Sequence, residues 1–290
     1  MKLAVALQLA RVSLLPTVWT NALTGVALAG GAWTDPRLPL LVVALSLFYT
    51  GGMFLNDAFD REFDSRARPE RPIPSGAASA AAVFTGGFGM IAIGWVALVV
   101  IGQTLSAKPT WAPALGGLAL AGAIVLYDAW HKSNPLSPFV MGLCRMLVYV
   151  TAALAVVGDL PRPVLAGAGV LLCYLIGLTY AAKNEHLNRV DHAWPLGFLA
   201  VPVVYGAVLS LDEPLTLAPL AGFTVWGTLA VRRLFRRAKG DVPKAVVSLL
   251  AGISLLDATL LAAQGQIVLA GMAIFAFLVT LKLQRWVAGT

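Results

Sequence analysis

The sequence predicts an all-helical protein that crosses a membrane several times. Of its 290 residues, 59% are hydrophobic and only 12% are charged, and the mean hydropathy is +0.81. Ordinary soluble domains are roughly 25% charged, and single soluble cores stop growing at around 250–300 residues. The apolar residues therefore need lipid around them, which excludes a soluble globular protein.

About ten apolar segments are long enough to span a bilayer, which takes roughly 17–25 residues per helix. They lie at residues 14–33, 39–55, 80–101, 111–127, 138–157, 163–182, 194–210, 215–231, 246–263 and 266–283. Few charges separate the segments after residue 194, so nine spans remain an alternative to ten. We expect one integral-membrane domain over residues 1–290.

The N-terminal stretch carries one early lysine, Lys2, and is interrupted by Arg11. This pattern predicts a short interfacial helix rather than a cleaved signal peptide. Cys144 and Cys173 both lie in apolar segments, so they indicate neither a disulfide framework nor a zinc site.

The net charge of +7 is explained by membrane topology. The loops on one predicted side contain most of the basic residues, whereas the opposite loops contain only Arg37, Lys108 and Arg162. The positive-inside rule then places the basic loops in the cytoplasm, with an even number of spans and both termini inside. We therefore expect a multi-pass protein of the cell membrane and no nucleic-acid partner.

The first acidic loop contains a cluster of oxygen ligands, namely Asn56, Asp57, Asp60 and Asp64. In a helix these side chains fall within a stripe of roughly 100° and point into one space. Mg²⁺ prefers one or two carboxylates together with water and phosphate oxygens. Arg68 and Arg71 follow closely and offer forked donors to the same phosphates. The alternative is a solvated loop with incidental salt bridges.

The pattern Asn-Asp-x-x-Asp-x-x-x-Asp, followed by Arg-Pro-x-Arg-Pro-Ile-Pro-Ser-Gly, resembles the UbiA family of intramembrane prenyltransferases. The resemblance implies a helical bundle whose central cavity is capped by cytoplasmic loops. It also implies that an isoprenoid is transferred from a prenyl diphosphate to a lipophilic acceptor, which the sequence does not identify. By this resemblance, Asn56, Asp57, Asp60 and Asp64 would hold Mg²⁺ against the diphosphate, and Arg68 and Arg71 would face it.

The second loop contains Tyr127, His131 and Lys132, and Arg145 follows at the start of the next span. UbiA-like proteins often carry a tyrosine followed four and five residues later by two basic residues. By this resemblance, Lys132 and Arg145 neutralise the diphosphate, and Tyr127 hydrogen-bonds it or stabilises cationic charge through its ring. Alternatively, His131 and Lys132 are topology anchors and Arg145 snorkels. Residues 127–149 also resemble the EboC-like branch of the superfamily.

The third loop occupies the place of the family's second aspartate-rich motif, but it is degraded. With Lys183 on the basic position, where it would contact the diphosphate, Asn184 and Leu187 stand where the family has acids. A second, weaker Mg²⁺ site would use oxygens of Glu185, Asn188 and Asp191. The alternative is a loop that has lost its metal function.

Two polar residues lie inside apolar spans. Asn21 would line the cavity by resemblance to the family, or form a hydrogen bond between helices. Asp257 is either a functional group or a hydrogen-bonded packing residue, because an ionisable side chain inside a membrane is costly.

Together these patterns predict a Mg²⁺-dependent prenyltransferase whose active-site loops face the cytoplasm. The residues assigned to catalysis are Asp57, Asp60, Asp64, Tyr127 and Lys132. Those assigned to substrate binding are Asn21, Asn56, Arg68, Arg71, Arg145 and Lys183. A non-catalytic isoprenoid-binding or assembly protein is an alternative, because the third loop is degraded. A transporter is a weaker one, because the acids lie at span ends and no internal repeat with paired interrupted spans is seen.

Overall fold

The structure is a computed structural model that describes residues 1–132, 134–183, 193–236 and 238–287. The α-helices within these residues are α1 Leu3–Leu9, α2 Leu15–Leu28, α3 Leu38–Phe59, α4 Arg61–Ala67, α5 Ala80–Val100, α6 Ala112–Trp130, α7 Ser137–Val156, α8 Arg162–Ala182, α9 Val201–Asp212, α10 Leu217–Arg236, α11 Asp241–Ala263 and α12 Ile267–Leu283. Short 3₁₀ turns lead into α2, α9 and α10, and a π-helical turn extends α5 to Leu105. The prediction of an all-helical fold is confirmed.

Within the described ranges, eight helical segments are long and apolar enough to cross a membrane. The pair Leu3–Leu9 and Val12–Leu28, which is bent by 54°, passes the same test as a ninth, and α12 is a shorter apolar helix. Each of the predicted segments thus falls on a helix, and the multi-pass architecture is confirmed. The bend also agrees with the short N-terminal helix expected before the first span.

The predicted spans are shorter than the helices at several ends. Helix α3 continues from residue 55 to Phe59, α6 continues from residue 127 to Trp130, and α11 begins at Asp241 rather than at residue 246. Charged and amide residues end an apolar segment but do not end a helix, because the backbone hydrogen bonds continue. These polar helical extensions carry much of the site described below.

Prolines help to define where the spanning helices begin. A proline occupies the first turn of α2, α3, α6, α7 and α8. Its fixed φ angle suits this position, and the missing N–H removes one of the donors that a first turn leaves unsatisfied. At α5 the cap is a serine, since Ser79 Oγ accepts a hydrogen bond of 3.3 Å from the Ala82 N–H.

Helices α2 and α11 form the centre of the bundle. In α11, 89% of the membrane-spanning window is buried inside the protein, whereas the corresponding share is 28% in the span that contains α5. Helix α2 packs against α3, α7, α11 and α12. One large hydrophobic cluster joins α11 to α7, α8 and α10, and a second joins α2 to α3, α5, α6 and α7.

One end of the bundle is fastened by Arg37. Its guanidinium pairs with Asp35 at 2.7 Å and donates to the Val156 carbonyl oxygen at 2.7 Å. The side-chain hydrogen bond from Arg37 lowers the pKa of Asp35. The loops after α2 and α7 therefore meet at this end, which is opposite the end where α3 and α6 finish.

Close packing between α2 and α7 depends on Gly25. A Cβ added there would lie 2.6 Å from the carbonyl oxygen of Tyr149 and 2.8 Å from its Cα. The two backbones meet at this point, so an added methyl group has to push the helices apart.

We expect Gly25→Ala to destabilise the protein by about 1–3 kcal/mol, because overpacking strains the α2–α7 contact. The measurement is thermal unfolding of the purified protein in nanodiscs. Gly122→Ala is the matched control, because a Cβ at Gly122 meets nothing within 4 Å. Equal melting temperatures for the two variants would contradict this account of the packing.

Candidate functional site

A cavity of about 570 Å³ opens at the end of the bundle where α3, α6 and α8 finish and α7 begins. Its mouth is lined by charged and polar side chains, namely Arg11, Asn56, Asp60, Arg68, Arg71, Tyr127, Asp128, His131, Lys132 and Lys183. Its deeper walls are apolar and include Leu45, Phe48, Leu120, Ile124, Leu175, Leu178 and Val246. The cavity thus combines a charged mouth with an interior that resembles lipid.

The acidic motif is built on the junction between α3 and α4. Asn56 and Asp57 lie on the last turn of α3, Asp60 lies between the two helices, and Asp64 lies in α4. Asn56 and Asp60 line the cavity, whereas Asp57 and Asp64 are buried beside it. Although α3 ends before Asp60, the Asp60 N–H donates to the Asn56 carbonyl oxygen at 2.9 Å and the Asp64 N–H donates to the Asp60 carbonyl oxygen at 2.8 Å. The helical spacing of the predicted stripe therefore continues across the junction.

Two arginines hold Asp57. Arg11 Nη2 lies 3.2 Å from Asp57 Oδ1, and Arg71 Nη1 lies 3.0 Å from the same oxygen. Arg11 also donates a hydrogen bond of 3.1 Å to Asn56 Oδ1. Burial and the neighbouring charge of Arg11 lower the pKa of Arg71. Asp57 thus anchors basic side chains at the mouth of the cavity.

Asp60 is paired with the loop that follows α6. Lys132 Nζ lies 2.9 Å from Asp60 Oδ2, and His131 Nε2 lies 3.4 Å from the same atom. Burial acts in the opposite direction, but the contacts with His131 and Lys132 lower the pKa of Asp60. In contrast, burial raises the pKa of Asp64.

Tyr127 belongs to the same group of side chains. Its ring stacks on that of His131, with 4.7 Å between the ring centroids, and it lines the cavity next to Lys132. The ammonium group of Lys132 also lies 4.1 Å from the centre of the Phe63 ring. The structure therefore brings together the first two loops that the sequence assigned to one site.

Two residues of the site were missed by the sequence analysis as binding groups, namely Arg11 and Asp128. Asp128 Oδ1 accepts a hydrogen bond of 3.1 Å from Asn56 Nδ2, so Asn56 connects it to Arg11. The available signals were a lone charge inside the N-terminal apolar stretch and an acid on the last turns of α6. Neither feature identifies the residue that will be contacted, because the hydrogen bonds of Arg11 and Asp128 join residues far apart in the sequence.

The carboxylate and amide oxygens of the acidic motif are of the kind that binds Mg²⁺. They do not by themselves form a full coordination shell for the ion. In the described part of the chain, no three His, Cys, Asp or Glu side chains lie close enough together to hold one metal ion. Within the same residues, Asp64 Oδ1 and Asp128 Oδ2 are buried and have no hydrogen-bond partner. Mg²⁺ commonly takes only one or two carboxylates and completes its shell with water and substrate phosphates.

The described residues include only the beginning of the third predicted loop. Lys183 follows α8 and lines the cavity. The predicted ligands Glu185, Asn188 and Asp191 lie outside the described residues.

Arg145 lies apart from the residues with which the sequence grouped it. It lines the deeper, apolar part of the cavity, and its Nη1 donates a hydrogen bond of 3.0 Å to Asn21 Oδ1. Asn21 Nδ2 in turn donates to Asp257 Oδ2 at 2.8 Å, and the Tyr149 hydroxyl donates to the other Asp257 oxygen. Asn21 is fully buried behind Arg145 and is not part of the cavity wall.

Comparison with known proteins gives one family and a consistent set of relatives. The sequence model described as the UbiA prenyltransferase family matches residues 14–286. A digeranylgeranylglyceryl phosphate synthase from Methanopyrus kandleri is 30% identical over 63% of this chain and 64% of its own length. The protein with this name from Natronomonas pharaonis is 30% identical over 71% of this chain and 68% of its own.

Other relatives with the same name match over shorter regions. The proteins from Methanoculleus marisnigri and Methanothrix thermoacetophila are matched over 44% and 43% of their lengths. The chain therefore spans less than two thirds of several of these curated relatives.

Two solved structures share the fold. A structure that concerns digeranylgeranylglyceryl phosphate synthase in membranes has a TM-score of 0.62 at 19% identity, covering 91% of this chain and 98% of that one. An apo UbiA homologue from Aeropyrum pernix K1 has a TM-score of 0.59 at 17% identity, covering 86% and 96%. At these identities the likeness concerns the fold alone.

The pairing of Asp60 predicts how stability depends on pH. Because its pKa is lowered in the folded protein, its ion pairs stabilise the fold above the unfolded pKa of about 3.9. This stabilisation is lost as the pH falls through the lower, folded pKa. The difference in melting temperature between wild type and Asp60→Asn should shrink as the pH is reduced from about 6 to about 3.

Melting curves in nanodiscs at several pH values measure this difference. Asp159→Asn is the control variant, because Asp159 is an exposed carboxylate at the opposite end of the bundle. A difference for Asp60→Asn that stays constant or grows on acidification would contradict the role given to the Asp60 pairs.

Proposed function

Because this chain belongs to the UbiA prenyltransferase family, we propose that it transfers a prenyl group from a prenyl diphosphate to a lipophilic acceptor. The observation that carries the proposal is the cavity with a charged mouth and apolar walls. A prenyl diphosphate has a multiply charged head and a long apolar tail, and it needs both environments at once. Residues 1–290 act in this proposal as one membrane domain.

The diphosphate binds at the mouth. Arg68, Arg71, Lys132 and Lys183 all line this region and can neutralise its charge, and Arg11 adds a further guanidinium. Arginine matches phosphate oxygens with paired donors, whereas lysine acts as a compact charge. The prenyl tail then extends between the apolar side chains of α3, α6 and α8.

Mg²⁺ would be held by Asp60 and Asn56 on the cavity wall, with Asp57 and Asp64 buried beside them. When bound, the ion would supply positive charge to the oxygens of the departing diphosphate. The incomplete set of protein ligands supports binding of the ion together with the diphosphate rather than before it. Glu185, Asn188 and Asp191 stay the predicted ligands of a second ion.

The basic residues assist the breaking of the allylic carbon–oxygen bond. The electron pair of that bond leaves with the diphosphate, and Arg68, Arg71, Lys132 and Lys183 stabilise the charge that develops on it. The acceptor supplies the electron pair of the new bond and releases one proton. The Tyr127 ring at the mouth stabilises positive charge on the allylic carbon. Exclusion of bulk water by the surrounding helices protects the cation from hydrolysis.

The protein lies in the cell membrane with the cavity mouth towards the cytoplasm. The mouth is rich in arginine and lysine, whereas the Asp35–Arg37 end has few basic residues, and this asymmetry supports the orientation. The name of the relatives, digeranylgeranylglyceryl phosphate synthase, makes geranylgeranyl diphosphate the first donor to test.

We expect a non-hydrolysable geranylgeranyl S-thiolodiphosphate to raise the melting temperature of the wild type only when Mg²⁺ is present. A ligand at about 100 times its Kd stabilises the folded state by about 2.7 kcal/mol. Asp60→Asn should lose this stabilisation, and Arg37→Gln, at the opposite end, should keep it. Stabilisation of Asp60→Asn equal to that of the wild type would contradict the assigned role of Asp60.

Turnover distinguishes an enzyme from a non-catalytic binding protein. With geranylgeranyl diphosphate and a membrane lipid extract, the wild type should release diphosphate and form a prenylated lipid product. We expect Asp60→Asn to reduce the rate by about a hundredfold or more, because stabilisation of the leaving group is lost. Donor binding by the wild type without diphosphate release from any extract would contradict the enzymatic proposal.

A further inference from the structure

Arg145 forms a second polar centre in the cavity, separate from the diphosphate-binding residues. It contacts Asn21 and lies 5.4 Å from the centre of the Tyr49 ring. Tyr49 precedes Asn56 by seven residues on α3, so at 1.5 Å per residue the Arg145 guanidinium is roughly 10 Å deeper than the mouth. Apolar side chains such as Phe48 and Val148 line the cavity around it.

The side chain is held in place from behind by residues of three helices. Asn21 of α2 accepts from Arg145 and donates to Asp257 of α11, which also accepts from Tyr149 of α7. Asn21, Tyr149 and Asp257 are fully buried. Buried polar groups are costly in a membrane, so a network of this size that fixes one guanidinium needs a reason beyond packing.

Most of the donor capacity of Arg145 is unused among the described residues. A guanidinium has five N–H donors, and among the described residues the Arg145 side chain makes a single hydrogen bond, from Nη1 to Asn21. The residue is 8% exposed and lines the cavity wall. A planar group with several unused N–H donors in an apolar cavity is suited to bind a carboxylate or phosphate with paired hydrogen bonds.

We propose that Arg145 binds the oxyanion, a carboxylate or a phosphate, of the acceptor and thereby determines which acceptors are used. This inference rests on the proposed prenyl transfer. The acceptor then lies across the cavity with its anionic group at Arg145 and its nucleophilic atom near the allylic carbon at the mouth. An uncharged lipid would leave the guanidinium without an anion, so it binds more weakly.

The test uses three probes that share a twelve-carbon tail, namely dodecanoate, dodecyl phosphate and dodecanol. Binding is measured by thermal shift in nanodiscs of zwitterionic lipid. Saturating geranylgeranyl S-thiolodiphosphate and Mg²⁺ keep the probes away from the diphosphate site. The variants are Arg145→Gln, Arg145→Lys, and the control Arg37→Gln, which removes a half-buried arginine at the other end of the bundle.

The wild type is expected to bind at least one of the two anions about tenfold or more tightly than dodecanol. The anion that binds better identifies the class of acceptor. The preference should disappear in Arg145→Gln, should be reduced but present in Arg145→Lys, and should be unchanged in Arg37→Gln. Lysine keeps the charge but lacks the forked donors.

Equal affinity of the wild type for all three probes would overturn the proposal, whether or not the variants fold. A full anion preference in Arg145→Gln would also overturn it and leave Arg145 with a packing role. The donor analogue separates this failure from that of the proposed function. If the analogue does not bind to the wild type, prenyl transfer itself is in error, and the probes are then compared without it.

Discussion

The structure depends on one constraint of the membrane, namely that backbone groups within lipid must be satisfied inside a helix. Charged and amide side chains are therefore concentrated where the spanning helices continue beyond their apolar segments. The last turns of α3 and α6 are such extensions, and they carry Asn56 and Asp128. Their hydrogen bond of 3.1 Å joins the two helices at the cavity mouth. Helical ends thus position the amide and acidic groups, whereas Arg68, Arg71 and Lys132 come from the segments that follow the helices.

Charge compensation explains why so many ionised groups are stable together at this mouth. Asp57 lies between Arg11 and Arg71, and Asp60 lies against Lys132 and His131. An unpaired charge here would be costly because most of these side chains are largely buried. In the proposed reaction a diphosphate brings more negative charge, which the basic side chains lining the cavity receive. The same contacts thus stabilise the folded site and prepare it for an anionic ligand.

The sequence was sufficient for the architecture because spanning helices are defined by the length of their apolar segments. It was also sufficient to bring Asn56, Asp60 and Lys132 to one site, since each follows an even-numbered predicted span. The helical hydrogen bonds continue through Asp60, but only Asn56 and Asp60 of the acidic stripe line the cavity, and sequence spacing does not show which side chains a neighbouring segment covers. Arg11 and Asp128 were missed because their roles arise from contacts between distant segments.

Contacts between distant segments, which the sequence does not show, matter most for Arg145. Sequence position groups it with Lys132, but the structure connects it to Asn21 and, through Asn21, to Asp257, both of which are far from Arg145 in the sequence. The sequence left two alternatives for Asp257, a functional group or a packing residue. In the structure Asp257 combines both, because its hydrogen bond to Asn21 helps to orient Arg145 on the cavity wall. A cavity with polar centres at two depths can align two amphiphilic substrates by their heads while their tails share the apolar walls. Such alignment lowers the entropic cost of bringing the two reacting atoms together.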